Sequence, residues 1–438
     1  MNKANLENKN WYEEIFDKFE RSLNGQSQTQ LHQFRKTAFE QFINEGFPTT
    51  ELEEWKFTNI GPVNKINFIA SAVADKVEIT RSDVDKNLFT EKDASIIVVV
   101  NGLVDRELSS VKPELKIEFA NLHEAGLNES SFKEKYLKND FVNKDGMTYL
   151  NSAFLNDGLF LKVQDNLSID STVYILFLNG SKNENLLVQP RNIYSIGKNS
   201  RLKLIEVYAS LDPNAYLYNG ITEIHLEENS NLEFDRVQDE DDSVFHINRT
   251  QVFQKRNSVF TSSVISIGGE ITRNDLNSAL IEENSECHLY GLYLADGKRM
   301  IDNHSLIDHA VPHCHSNELY KGILDEESKG IFNGKVIVRK DAQKTLAYQS
   351  NKNLLLSTKA KINTKPQLEI FADDVKCSHG ATVGQLDEQS LFYLQSRGIS
   401  KTVAKSILIK AFASDVLDNV NDETLKEKLN KHILERLH

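Results

Sequence analysis

Two residues whose side chains bind soft metals well, Cys377 and His379, stand two positions apart in the segment FADDVKCSHGATVG. Residues i and i+2 of an extended strand project from the same face, about 7 Å apart along the chain. A thiolate beside an imidazole suits iron, zinc or copper better than a hard cation such as magnesium. Two ligands cannot complete a tetrahedral site or a cluster, so the others would come from elsewhere in the fold or from another chain. The structural alternative is a buried cysteine beside a hydrogen-bonded histidine.

A second group of candidate ligands lies between residues 304 and 315. If residues 312–317 are extended, His313 and His315 share one face of the strand and Cys314 points to the other. This spacing fits poorly with structural zinc sites, which pair ligands two to four residues apart, twice over. We therefore treat these three residues as weaker metal candidates. The alternative is that the thiol packs in the core and the histidines form hydrogen bonds within a stack of turns.

The sequence predicts that the elements that must position these residues are repeated β-strands. From about residue 158, short β-branched runs alternate with polar turns, and Asn-Ser pairs recur at intervals of 30, 28 and 27 residues. The pairs are Asn199-Ser200, Asn229-Ser230, Asn257-Ser258 and Asn284-Ser285. Strand-rich self-similarity at this period predicts a β-helix, which we place at residues 158–386. A β-sandwich with similar turns is the alternative.

Helical periodicity flanks the repeat on both sides. Residues 8–46 predict two helices, within an N-terminal helical and mixed domain over residues 1–157. The helical pattern returns in a C-terminal domain over residues 387–438, where Asp387 and Ser400 are candidate N-caps. These last helices could cap the end of the β-helix, or they could offer an apolar face to another protein.

The composition excludes several classes of protein. A net charge of −13 argues against unaided binding to nucleic acid or to an anionic membrane, both of which need a basic patch. The polar start MNKANLENKNWYEE has no signal-peptide core, and three cysteines make no disulfide framework, so we expect a cytoplasmic protein. The chain has no P-loop, because Gly334-Lys335 is followed by Val336. Any ATP hydrolysis would therefore belong to a partner.

Several longer segments carry a family resemblance. The segment ADDVKCSHGATVGQLDEQSLFYLQSRGI resembles the C-terminal signature of the SufB/SufD proteins of the Suf iron–sulfur assembly system. The resemblance continues in family order through PTTELEEWKFTNI, PHCHSNELYKGIL, GKVIVRKDAQKTLAYQSNKNLLLS and KPQLEI. The Gly-Ala-Thr-Val that follows His379, the D-like PHCHS and ELYKGIL segments, and the absence of a Cys-rich N-terminal motif favour the SufD branch over the SufB branch.

The resemblance implies a mostly β protein, with a right-handed parallel β-helix core between N-terminal and C-terminal helical domains. It implies a non-enzymatic scaffold subunit that pairs with a SufB-type paralogue through the β-helix ends and docks a SufC-type ABC ATPase through the C-terminal helices. An iron–sulfur cluster would be held transiently and shared with the paralogue, with His379 as ligand and Cys377 in support. We expect no tightly bound cofactor in the isolated chain, for which a homodimer is an alternative assembly.

The C-terminal helices supply the candidate partner contacts. These are Leu391, Tyr393, Arg397, Val403, Ile407 and Phe412. Two other functions stay open at this point. One is a SufB-like primary scaffold that holds a cluster alone. The other is a β-helix enzyme acting on carbohydrates, which would need carboxylates or basic residues lining a groove.

Overall fold

The computed structural model describes residues 9–23, 29–88, 94–127, 129–136, 144–420 and 422–436. Its α-helices are α1 (Lys9–Ser22), α2 (Gln30–Glu45), α3 (Arg81–Lys86), α4 (Ser130–Tyr136), α5 (Gly146–Ala153), α6 (Glu388–Ser396), α7 (Lys401–Leu417) and α8 (Glu423–Arg436). Its strands are β1 (Ile69–Ala70), β2 (Ser95–Val100), β3 (Leu103–Ser110), β4 (Glu118–Asn121), β5 (Leu159–Val163), β6 (Ser168–Asn179), β7 (Leu186–Val188), β8 (Arg191–Ile196), β9 (Arg201–Ser210), β10 (Tyr216–Leu226), β11 (Asn231–Gln238), β12 (Phe245–Gln254), β13 (Val259–Ser266), β14 (Ile271–Leu280), β15 (Glu286–Ala295), β16 (Met300–His309), β17 (His315–Leu324), β18 (Lys329–Val338), β19 (Leu346–Leu355), β20 (Lys361–Ile370) and β21 (Lys376–Gly384).

The strands form a β-solenoid of about eight turns, which confirms the predicted fold class. Even-numbered strands from β8 to β20 make one parallel sheet, and odd-numbered strands from β9 to β21 make the other. Each turn of the chain therefore adds one strand to each sheet, and residues one turn apart lie in register. Apolar side chains of both sheets meet between them in a continuous core. We call each such turn a rung, and each row of registered core-facing residues an inner column.

The repeated Asn-Ser pairs form one corner of the solenoid. The asparagines adopt left-handed backbone conformations, with φ of 53°, 58°, 57° and 61° in chain order, which asparagine tolerates better than most residues. Their side chains form a ladder: Asn229 donates to Asn199 and Asn257 donates to Asn229, both at 2.8 Å. The following serine hydroxyls close the turn, as when Ser230 donates to the Glu227 carbonyl at 2.6 Å. The predicted repeat is confirmed, and the ladder explains its residue types.

The helical segments pack against the outer faces of the two sheets. The N-terminal segments cover one sheet, where Phe68 meets Phe245 edge to face at 6.4 Å. The C-terminal helices cover the other sheet, and the buried residues of α7 join outward-facing residues such as Leu292 and Ile323. The expected helices over residues 8–46 are confirmed as α1 and α2, although residue 8 lies outside the described ranges. The suggestion that the last helices cap the solenoid end is wrong, because their apolar side chains find a larger apolar surface on the side of the sheet.

A buried ionic network fastens the N-terminal segment to the solenoid. The Arg273 guanidinium lies 3.9 Å from the centre of the Trp55 ring and 2.9 Å from the Asp302 carboxylate. Trp55 in turn donates to Asp145 at 3.0 Å. Because every member is almost fully buried, the loss of one would leave its partner's charge without compensation. No helix in the described ranges is long and apolar enough to cross a bilayer.

Candidate functional site

Cys377 and His379 lie on β21, the last strand of its sheet. Parallel pairing places Cys377 opposite Ala347 and His379 opposite Gln349. Followed back through the solenoid, these are inner columns. The column of Cys377 contains Ala347, Ser316, Cys287, Phe260, Leu232 and Leu202, and that of His379 contains Gln349, Glu318, Leu289, Ser262, Phe234 and Leu204. The two candidate ligands therefore share one face of the strand, and that face points into the solenoid.

The last rung has no further rung over it in the described chain, so its inner face is partly open to solvent. Cys377 is half-buried against the core, and this burial raises the pKa of its thiol. His379 is exposed. Within the described residues, no three His, Cys, Asp or Glu side chains come together as a metal site. The two soft ligands are thus held side by side at an open rim, and a second chain would have to supply the rest of a coordination sphere.

The strands that carry this rim are long, and no other described strand pairs with their outer edges. β20 and β21 lie at the ends of their sheets, with 10 and 9 residues. Large apolar side chains stay exposed beside them: Phe371 by 63%, Val383 by 50% and Ile370 by 42%. An edge with free backbone groups and apolar side chains favours pairing with another chain. We call this surface, made of β20, β21 and Phe371, the C-terminal end of the solenoid.

The second group of candidate ligands lies at the Asn-Ser corner, one rung after Asn284. His313 has φ of +63°, so it occupies the left-handed position that asparagine fills elsewhere, and the assumption of an extended segment at 312–317 is wrong. Cys314 takes the place of the serine; it is fully buried in the core, and burial raises the pKa of its thiol. His313 and His315 are exposed. The interval of 29 residues between Asn284 and His313 continues the repeat in the sequence. The repeat was not recognised there because His313 and Cys314 replace the Asn-Ser pair.

The first two C-terminal helices present apolar residues to solvent. α6 has no buried residue, and Phe392, which the sequence-based prediction did not include, is 73% exposed. Of the predicted partner contacts, Tyr393 is 57% exposed, Val403 50% and Ile407 42%. The Arg397 guanidinium lies 5.3 Å from the Tyr393 ring, and Leu391 is half-buried.

Phe412 differs from the other predicted contacts, because it faces the solenoid. The ammonium of the buried Lys321 lies 4.6 Å from the Phe412 ring and donates to the Phe412 carbonyl at 2.7 Å. The same ammonium pairs with Asp415 at 2.5 Å. The second half of α7 is therefore fixed to β17, while α6 and the first half of α7 project from it as a hairpin. We call this hairpin, residues 388–408, the projecting hairpin.

Comparison with known proteins identifies relatives over most of the chain. Residues 177–412 match the family model described as "SUF system FeS cluster assembly, SufBD core domain", and residues 6–175 match "SufBD protein N-terminal region". An "Iron-sulfur cluster assembly SufBD family protein" of Synechocystis is 32% identical over 391 residues, which cover 86% of this chain and 85% of that protein. The protein named "Iron-sulfur cluster assembly protein SufD" in Escherichia coli is 32% identical over 56% of this chain and 58% of its own length. Its namesake in Plasmodium falciparum is 29% identical over 57% of this chain and 17% of its own length.

Proposed function

The chain belongs to the SufBD family of iron–sulfur cluster assembly proteins, and we propose that it is the SufD-type, non-enzymatic scaffold subunit. In this role it pairs with a SufB-type paralogue through the C-terminal end of the solenoid. A cluster is its cargo, assembled between the two subunits and then released. The observation that carries the proposal is the open last rung, which combines unpaired strands with Cys377 and His379 on one inward face.

Pairing through this end is supported by the chemistry of β20 and β21. A paralogue with the same fold could add its own last rung, extending both sheets across the interface through main-chain hydrogen bonds. Such pairing would bury Phe371 and Val383, which are exposed in the single chain. It would also enclose the rim residues between two solenoid cores, where water is excluded.

The ligand set suits a cluster that must leave again. Cysteine thiolates are the usual ligands of iron–sulfur clusters, and histidine is a minority ligand. We propose His379 as a ligand from this chain, with Cys377 in support and thiolates of the paralogue completing the site. An isolated chain would then retain little iron, because it has too few ligands at the rim.

The projecting hairpin is the proposed docking site for a SufC-type ABC ATPase. Its exposed apolar residues are Phe392 and Tyr393 on α6, and Val403 and Ile407 on α7, which have the i, i+4 relation of a helical docking face. The chain has no P-loop of its own, so energy from ATP would enter through this partner. We propose a reducing, cytoplasmic setting, because all three cysteines are free thiols.

Purification of the tagged chain from its native cells tests the partners. We expect an ABC-type ATPase and a paralogue with the same C-terminal signature, both identified by mass spectrometry. The double substitution Phe392→Asp and Ile407→Asp should remove the ATPase and leave the paralogue bound. Recovery of the chain alone, under conditions in which other complexes survive, would contradict the proposal.

Substitution of His379 tests the cluster site in cells that depend on this chain. His379→Ala should abolish cluster assembly, measured as the activity of a cellular iron–sulfur enzyme. His315→Ala is the matched control, because His315 is also exposed but lies off the inner columns. Normal cluster assembly with His379→Ala would show that this histidine is not a ligand. A loss with His315→Ala would move the site toward the weaker candidates.

A further inference from the structure

The inner column that ends at His379 turns polar two rungs before the open end. Its earlier members are Leu204, Phe234, Ser262 and Leu289, of which only the small Ser262 is polar, and its last three are Glu318, Gln349 and His379. Glu318 is 1% exposed and Gln349 is 3% exposed. A carboxyl and an amide in the core of a solenoid are costly to bury, and their place directly beneath a candidate ligand calls for an explanation.

The hydrogen bonds of Gln349 fix the direction of its amide. Its Nε2 donates to Glu318 Oε2 at 2.7 Å, while its Oε1 is buried and has no hydrogen-bond partner among the described residues. Gly334, on the facing sheet, leaves room for this arrangement: a Cβ there would lie 2.4 Å from the Gln349 nitrogen. The amide therefore has its donor side engaged and one strong acceptor unused.

We infer that Gln349 is a positioning residue for His379, whose ring N–H it accepts at Oε1 once a partner chain covers the last rung. The inference rests on the proposed function, in which His379 is a ligand. Adjacent parallel strands lie about 4.8 Å apart, which is close enough for registered inner side chains to touch. In the single chain, water can serve the exposed imidazole; in a covered interface, the unused oxygen of Gln349 is the nearest acceptor on the same column.

The consequence is chemical. A neutral imidazole carries one N–H and one lone pair, and the hydrogen bond made by one nitrogen decides which of the two nitrogens is free to bind metal. Acceptors of this kind orient a ligating histidine and raise its basicity. Glu318 acts through Gln349: by accepting from Nε2, it keeps the oxygen of the amide, rather than its nitrogen, available to His379. A nitrogen in that place would donate to the imidazole and compete with iron for its lone pair.

The test uses this chain purified together with its paralogue and loaded anaerobically with Fe³⁺, a thiol reductant and sulfide. Gln349→Met keeps the volume of the side chain and removes the acceptor. We expect iron affinity, measured by competition with a chelator, to fall about 10- to 100-fold, as for other partners of ligating histidines. Gln349→Glu should restore most of the affinity. The new carboxyl at position 349 and the carboxyl of Glu318 would share a proton, and the side chain at position 349 would keep an acceptor oxygen for His379.

Asn351→Leu separates positioning from stability. Asn351 is equally buried on the same strand and donates to Tyr293 and Tyr320, but its column ends at Ala381, which has no ligand atom. This variant should lose stability without losing iron affinity. Pulsed electron paramagnetic resonance of the reduced cluster gives a second readout: the coupling to a histidine nitrogen should change with Gln349→Met and stay unchanged with Asn351→Leu.

His379→Ala in the same assay distinguishes the two possible failures. If His379→Ala leaves both iron affinity and the nitrogen coupling unchanged, the proposed cluster site is wrong, whatever Gln349 does. If His379→Ala removes them but Gln349→Met matches the wild-type pair in both readouts, the cluster site stands and the role of Gln349 is overturned. An equal loss of affinity in Gln349→Met and Asn351→Leu, with unchanged coupling in both, would also overturn it.

Discussion

The two ends of the solenoid differ in how the edges of their last strands are protected. At the N-terminal end, both sheets finish with an antiparallel strand, β3 of 8 residues in one sheet and β4 of 4 residues in the other. The register of β3 is interrupted by an irregularity between Ile96 and Val98 of its neighbour. The Asp105 carboxylate also accepts from two amides of its own strand, those of Glu107 and Leu108, at 3.0 and 2.9 Å. Irregular pairing, charge and local hydrogen bonds of this kind discourage the addition of a further strand.

At the C-terminal end the pairing of the described strands is regular, and protection of the edge is limited to charged side chains and to Pro366 in the middle of β20, which has no N–H to donate. β20 and β21 follow β18 and β19 in unbroken parallel register. Phe371 and Val383 stay exposed. Because the N-terminal end of the same solenoid is protected, we interpret the exposed strand edges and apolar side chains of the C-terminal end as a surface for assembly.

The interior does not divide between the two ends in the same way. Beneath the N-terminal end Ile97, Val99 and Ile175 are fully buried, and the next rung places Glu206, paired with Arg236 at 2.8 Å, on the column of Ile175. Beneath the C-terminal end the core contains Glu318 and Gln349. Buried polar residues therefore occur in both halves of the core, and Glu318 and Gln349 differ from the others in lying on the column of a candidate ligand, His379.

The sharpest test of the difference between the two ends compares two variants, each with one carboxylate introduced at one end. Val383→Asp should weaken association with the paralogue more than 100-fold, because covering the rung would bury an unpaired carboxylate at a cost of roughly 3 kcal/mol. Leu103→Asp on β3 is the matched control: Leu103 is 42% exposed and Val383 50%. It should leave association unchanged. Both affinities can be measured by biolayer interferometry with purified chains.

Equal effects of the two substitutions would contradict the assignment of the interface to one end. Neither substitution should lower the thermal stability of the isolated chain by much, because both side chains are already exposed to water. A large loss of stability with Val383→Asp alone would show that the last rung is part of the core rather than a surface for assembly.

The sequence predicts the body of the solenoid better than its ends. Asn229 and Asn257 repeat because a left-handed corner recurs in successive rungs, so a local backbone requirement appears directly as a pattern of residues. His313 fills the same position without matching the pattern. Strand alternation predicts that Cys377 and His379 share one face of β21, but it does not predict that this face points into the solenoid or that His379 is exposed there. An inner column looks the same in sequence whether or not another rung covers it.

A second prediction concerns the polar interior near the open end and has a smaller expected effect. Burial raises the pKa of Glu318 to about 7 from an ordinary value of 4.5. Between these values the folded chain holds a proton that the unfolded chain has released, so this residue lowers the free energy of unfolding as pH rises. Glu318→Gln removes the titration. The free energy of unfolding of this variant, relative to that of wild type, should therefore rise from pH 4.5 to pH 7 and then stay constant.

Urea unfolding of both proteins at several pH values measures this difference. Comparing them removes the contribution of other buried acids such as Asp235, whose pKa burial also raises to about 7. Glu286→Gln is a matched control, because Glu286 lies on the neighbouring strand β15 but outside the core. A difference between Glu318→Gln and wild type that stays constant with pH would show that Glu318 is ionised in the folded chain.

The smallest expected effect belongs to the protected end. The Asn121 side chain on β4 accepts from the Val104 amide on β3 at 2.9 Å, which links the last strands of the two sheets. Asn121→Ala should lower the free energy of unfolding by about 1 kcal/mol, because it leaves a partly buried amide without its acceptor. Asn121→Asp keeps an acceptor oxygen and should be milder. Neither should change affinity for the paralogue in the interferometry assay; if one does, the two ends are coupled through the solenoid and their roles are not separable.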